Sequence, residues 1–164
     1  MAHCISTRVH FPGGHHLLIA AQALLTLLAI IQGLATVMID FNRTHATHPQ
    51  WTGHSRFHLV WQDLNVALFA VVATSLIWWH GSHTAHRFYL AAGMTAIPSI
   101  GFLLAQVSRS SYGGTLSDPN GIPPLRFRFA GRAVALDGNV AAVYFALVLL
   151  ICLVAMFHHA ARDL

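Results

Sequence analysis

The sequence predicts an all-α membrane protein, a bundle of four transmembrane helices, and three observations carry that expectation. Nine arginines and five aspartates are the only formal charges in 164 residues, with lysine and glutamate absent. Soluble domains carry roughly one charged residue in four. Hydrophobic residues make up 55% of the chain and its mean hydropathy is +0.58. Apolar runs long enough to cross a hydrocarbon core of about 30 Å recur four times along it. So little charge cannot solvate the surface of a soluble globule, and so much apolar surface excludes a disordered chain.

The first span, Leu17 to Ile39, runs 23 residues without a formal charge. At a rise of 1.5 Å per residue it makes about 35 Å of helix. No small-residue cleavage signal follows this stretch, so it reads as a retained span rather than a signal peptide. The second span runs from Gly53 to Trp79, polar in its first turns and apolar from Leu64 onward. The third runs from Arg87 to Val107 and contains Pro98, a kink position whose freed carbonyl needs another partner. The fourth runs from Asp137 to His158. All four belong to a single integral domain, residues 1–164, and an even number of spans puts both termini on one side of the membrane.

Two connections, 40–52 and 80–86, are short and polar, whereas 108–136 is long and rich in Gly, Pro and Arg. Turn signals stand in it at Asp118-Pro119-Asn120-Gly121 and at Pro123-Pro124. Six arginines lie on the side of the first and third loops and three on the other. The positive-inside rule then sets those loops in the cytoplasm of a bacterial inner membrane, with the termini outside. The formal charge of +4 does not indicate nucleic acid as a partner, because every arginine lies outside the apolar runs as membrane loop charges do. Cys4 and Cys152 are far apart and support neither a disulfide framework nor a thiolate metal site; Cys152, inside an apolar run, reads as a small buried side chain.

A polar side chain in a membrane helix is costly unless paired, so its position is informative. Gln32, Thr36 and Asp40 follow one another at four-residue spacing along the first span. His54, His58 and Gln62 do the same on the second, and Asn65 continues that face. Thr95, Ser99, Phe102 and Gln106 share a face of the third, and Asp137 and Tyr144 lie two turns apart on the fourth, with Asn139 off that line. All four stripes lie near one membrane side. They predict a polar pocket opening toward that interface, inside the bundle or between subunits.

Thirteen histidines punctuate this apolar chain. His54 and His58 project together and can hold one metal, or one can bind it while the other orients its partner. His45 and His48 precede them in the same polar stretch. Asp40 can accept hydrogen bonds from His45 or His48, or pair with Arg43 or Arg56, and Asp63 reads as pairing with an arginine or facing the interface. His80, His83 and His86 belong to the opposite membrane side, where with Trp78 and Trp79 they read as interface residues. His158 and His159 suit a helix C-terminus.

The order of spans, Trp51 preceding His54 and His58, Asn65 after them, Gly101-Phe102 with Leu104, and Gly114-Thr115-Leu116 leading to Pro119-Asn120-Gly121 together resemble styrene oxide isomerase, a small four-span membrane enzyme. The resemblance covers about two thirds of the chain. It implies a trimer, a haem b whose ferric iron acts as Lewis acid on an epoxide oxygen, and an aldehyde product. Carried over residue by residue, His58 corresponds to the axial ligand with His54 as its rival, and Asn65 to the residue that positions the substrate oxygen. Leu103 stands where that family has a Tyr, and the interval from His58 to Asn65 is one residue longer.

The leading expectation is therefore a membrane-embedded isomerase of a small lipophilic epoxide. Asn65 or Gln62 would hold the oxygen while apolar walls exclude water. Three alternatives stay open. A cofactor-free isomerase or hydrolase of sterol- or terpene-like substrates would use Asp40 with His48 or His54 as acid and base. A non-haem iron enzyme would draw on His45, His48, His54 and His58. A haem- or metal-handling membrane subunit would bind a cofactor without turnover. A haem-sized ligand leaves little packing within four helices, so a homo-oligomer is expected, with Ala91, Ala92 and Gly93 permitting close helix contact.

Overall fold

The computed structural model describes residues 13–79, 81–117 and 123–162. Among them are four long helices, α1 (Gly13–Asp40), α2 (Gly53–Trp78), α3 (Thr84–Ser108) and α4 (Gly138–Arg162). Each is long and apolar enough to cross a membrane. α1 packs mainly on α2 and α4, and α3 closes the square by packing on α2 and α4. His80 and the turn at 118–121 lie outside the described residues, as do Cys4, His3 and His10.

Local chemistry sets where the helices begin. Thr52 is extended and its hydroxyl accepts the Ser55 N–H at 3.1 Å, capping α2. Asp137 accepts the N–H groups of Asn139 at 2.9 Å and Val140 at 3.2 Å, which starts α4 with a negative charge at its positive end. α3 has no side-chain cap. His83 enters it through a left-handed backbone (φ 69°), and Arg87 braces the turn by donating to the carbonyls of Gly81 and Ser82. α3 then runs unbroken through Pro98.

The packed core occupies one half of the bundle. Ala21, Leu25, Leu28 and Ala29 of α1 meet Ala73 and Ile77 of α2, Phe88 to Ala92 of α3, and Ala146 to Phe157 of α4. Phe88 and Phe157 are both buried and stack with ring centroids 3.8 Å apart and planes 5° apart. Hydrogen bonds tie the same half together. Gln22 donates to the Ile77 carbonyl at 3.2 Å, Trp78 Nε1 donates to Thr26 Oγ1 at 2.9 Å, and the Tyr89 hydroxyl lies 3.0 Å from His158 Nδ1. His158 thus serves a helix–helix contact rather than only a helix end. Cys152, expected to be buried, is exposed on the apolar exterior of α4.

Near mid-bundle α1 and α2 are pinched together at Gly33. A methyl group there would stand 2.9 Å from the Ala70 Cβ and 3.3 Å from the Ala67 Cα. Open space borders α1 from Leu24 to Asp40 and is polar toward the Asp40 end.

The long connection is more ordered than its Gly and Pro content suggests. After a 3₁₀ turn at Arg109–Ser111 it forms an antiparallel hairpin of β1 (Leu125–Phe129) and β2 (Arg132–Leu136). Ala130 (φ 49°) and Gly131 (φ 77°) make its two-residue turn, and positive φ at both central positions matches the twist of the strands. Leu125, Phe127 and Phe129 alternate with Arg126 and Arg128, the two-residue period of a strand.

Candidate functional site

The open half of the bundle holds a cavity of about 1060 Å³, at the upper limit of the roughly 300–1,000 Å³ typical of ligand pockets. All four helices line it. α1 contributes Gln32, Thr36 and Asp40, and α2 contributes His58, Gln62 and Asn65. Ser99 and Phe102 come from α3 and Asn139 from α4, and His45 reaches in from the α1–α2 loop. The polar stripes of the first two helices therefore converge on one space. On α4 the contributor is Asn139 rather than Asp137, which caps its helix, or Tyr144, which is exposed.

The remaining lining is apolar and partly open to the exterior. Leu27 and Ile31 line the cavity while 53% exposed, and Phe145 while 68% exposed. Its mouth thus lies on the flank that meets lipid. At the inner end Gln32 Nε2 donates to Ser99 Oγ at 3.2 Å, and Thr36 Oγ1 turns back to the Gln32 carbonyl at 2.7 Å. One amide thereby ties α1 to α3 where the cavity meets the core.

The candidate histidines separate into three places. His54 and His58 do project together, with Nε2 atoms 3.0 Å apart and rings nearly perpendicular. A hydrogen bond between two imidazole nitrogens needs one donor and one acceptor, so the pair holds a proton between them. His58 lines the cavity and His54 stands behind it. His48 is buried in the loop instead, its Nδ1 accepting the Gln50 N–H at 3.2 Å and its carbonyl accepting Arg56 Nη2 at 2.6 Å. His45 stands beside Asp40, Nδ1 to Oδ1 3.9 Å. Among the described residues no three side chains of metal-binding type gather at one point, so the four histidines do not form a single centre.

The loop defines the state of His45. Asn42 donates its amide N–H to the Ile39 carbonyl, which leaves its side-chain oxygen to accept both the backbone N–H and the hydroxyl of Thr44, at 2.7 and 2.6 Å. Since the Thr44 proton is committed there, its oxygen accepts from His45 Nδ1 at 2.7 Å. A neutral His45 therefore carries its proton on Nδ1, toward Thr44 and Asp40, and its Nε2 is a bare acceptor.

Comparison with known protein families, with curated proteins and with solved structures finds no match to this chain. Fold and site geometry therefore carry the functional reading.

Asp63, on α2 between the cavity-lining Gln62 and Asn65 but outside the lining itself, was not expected to be buried. It is 1% exposed, and no N–H or O–H donor reaches either of its carboxylate oxygens among the described residues. Among the described residues no arginine pairs with it: the guanidinium of Arg56, on the same helix, is bonded to the His48 carbonyl. A lone acid beside an apolar helix run is itself a signal, because an unpartnered ionisable group at membrane depth rarely persists without a role.

Proposed function

We propose that this protein is a membrane-embedded isomerase of a small lipophilic epoxide, with His58 as the protein ligand of a haem b. The supporting observation is the cavity: largely apolar walls, a mouth on the lipid-facing flank, and at its polar end amides, the imidazoles of His58 and His45 and the carboxyl group of Asp40. A lipophilic molecule reaches such a site from the bilayer by lateral diffusion, and only its oxygen needs a polar partner.

The donor set fits the haem. His58 offers an imidazole to a cavity of sufficient size, and His54, bonded to it at 3.0 Å, is the second imidazole that orients a ligating ring. When bound, the haem iron supplies Lewis acidity toward the epoxide oxygen. The protein's own contribution is positional. Gln62 and Asn65, on the same helix face as His58, present amide N–H donors to that oxygen. Leu24, Ile31, Phe69 and Phe102 keep water from the reacting carbon, which favours rearrangement to a carbonyl over hydrolysis to a diol. Leu103 leaves the site without the tyrosine of the family it resembles, so the donor role falls on the amides. In this reading the chain assembles as a homo-oligomer, a trimer by the same resemblance. Its termini face away from the cytoplasm of a bacterial inner membrane, as the arginine distribution favours.

The test is an absorption spectrum and iron assay of protein purified from haem-replete cells. A Soret band that His58→Ala abolishes, together with conversion of an aryl or terpene epoxide to an aldehyde, is the expected result. A colourless, iron-free preparation overturns the haem assignment.

A further inference from the structure

The β1–β2 hairpin takes no part in the cavity, and nothing among the described residues covers it. All ten residues of its two strands are exposed. Residues opposite one another in an antiparallel pair share a face. In this register one face carries Leu125 beside Leu136 and Phe127 beside Val134, and Phe129 joins them at the turn. The other face carries Arg126 and Arg128, each opposite an alanine. Arg132, opposite Phe129, brings a third guanidinium to the tip, and no acidic residue lies between Leu125 and Leu136. Water is a poor partner for the apolar face, on which Leu125 is 67% exposed and Phe129 70%. A two-stranded hairpin left alone in water is marginal, so this one needs a surface to lie on.

The connectivity of the chain says which surface is at hand. Asp137 alone separates Leu136 from Gly138, where α4 begins, and two residues reach about 7 Å at most. α4 is long and apolar enough to cross the membrane, so the root of the hairpin stands at the membrane interface. A five-residue strand is about 17 Å long. Upright, the hairpin would carry Phe129 through a headgroup layer of roughly 5–8 Å and on into water. Lying down, it keeps every apolar side chain at the acyl boundary. It sinks no further, because the outer edges of a two-stranded sheet hold N–H and C=O groups that need water or headgroups as partners. At that depth the arginines, on long apolar stems, meet the phosphate layer. A second copy of the hairpin is a worse cover, since it would gather six arginines with no acid among them.

We propose that the hairpin is a lipid-binding element lying flat at the membrane interface. Leu125, Phe127, Val134 and Leu136 enter the acyl boundary, and Arg126, Arg128 and Arg132 engage the phosphates of anionic phospholipids. Charge complementarity selects the anionic lipid. Each arginine favours an anionic surface over a neutral one about fivefold, so three favour it about a hundredfold. The inference goes beyond the isomerase reading and requires neither a cofactor nor turnover.

The experiment is power-saturation EPR of the full chain in lipid nanodiscs. Cys4 and Cys152 are replaced by alanine, and a nitroxide is attached through Ala133→Cys or through Val134→Cys. These neighbours lie on opposite faces of β2. Oxygen concentrates in the acyl region, and the neutral chelate nickel ethylenediaminediacetate concentrates in water. In an equimolar mixture of phosphatidylcholine and phosphatidylglycerol, the label at position 134 is expected to favour oxygen and the label at 133 the chelate. In phosphatidylcholine alone the oxygen preference at 134 falls. It falls equally when Arg126→Gln, Arg128→Gln and Arg132→Gln are combined in the mixed lipid. Equal or reversed access at the two positions, or an oxygen preference at 134 that is the same in both lipids, overturns the proposal. So does exclusion of both reagents from position 134, the mark of a second copy covering the face. The comparison of lipids keeps all three arginines, so a folding defect in the glutamine variant leaves the test standing.

Discussion

Replacing Gly33 by alanine sets two effects of similar size against each other. The new methyl group would sit 2.9 Å from the Ala70 Cβ. Carbon atoms pack best at about 3.5–4.0 Å, so α1 and α2 must part by about 0.6–1 Å. Overpacking of this kind costs about 1–3 kcal/mol. Alanine in place of glycine also returns about 1 kcal/mol of helix propensity, which leaves a net loss near 1 kcal/mol. The single substitution alone decides little, but a double-mutant cycle with Ala70→Gly does. In the double variant the propensity terms cancel and the struck methyl group is gone, so stability returns close to wild type. The expected coupling is about 1–2 kcal/mol, above the roughly 0.3–0.5 kcal/mol within which independent sites add. Unfolding by dodecyl sulfate titration in mixed micelles, followed by circular dichroism, measures each corner of the cycle. Additive effects, or a Gly33→Ala variant stabilised by the full propensity gain, would refute the pinch between α1 and α2.

Two further outcomes follow from contacts in the two halves of the bundle. Thr26→Val removes the acceptor of the Trp78 indole N–H and should cost about 0.6 kcal/mol, the average for an interhelical hydrogen bond in a membrane, with a change in Trp78 emission. A stability loss above about 2 kcal/mol would show that Thr26 does more than accept this bond. Under the isomerase reading, Asn65→Leu removes a donor to the reacting oxygen and should lower kcat by about 10²-fold at unchanged haem content; full activity would remove Asn65 from the site.

Much of this architecture was legible in the sequence because lipid imposes a simple rule. Every long apolar run became a helix, and the polar residues interrupting those runs at helical spacing marked the face that needed company. Gln32, Thr36 and Asp40 on one span, and His58, Gln62 and Asn65 on another, met as their periodicity required. What periodicity along one helix cannot show is the register between two helices. Asp63 therefore read as pairing with an arginine or facing the interface, and only the packing of the helices buries it. The same limit hid the stack of Phe88 on Phe157, which are 69 positions apart. His45 and His48 shared a polar stretch that suggested a common centre, but the hydrogen bonds of the loop turn one to Asp40 and bury the other. The hairpin escaped notice for a different reason. Its strands alternate in the usual way, but the turn uses Ala130 at positive φ, where Asn or Asp before Gly is the recognisable sign.

The uneven packing of the bundle also has a mechanical consequence. Below Gly33 the helices are locked by interdigitated side chains, a ring stack and hydrogen bonds between neighbouring helices. Around and above it the ties named here are the Gln32–Ser99 amide contact and the loop segments. Stiffness is therefore concentrated at one end, as in a pair of tweezers whose arms meet at a solid base. Fewer buried contacts hold the opposite helix ends, so local opening costs least there. A bundle so divided keeps its stability in one end and leaves the other end free to be shaped by side chains that packing does not require.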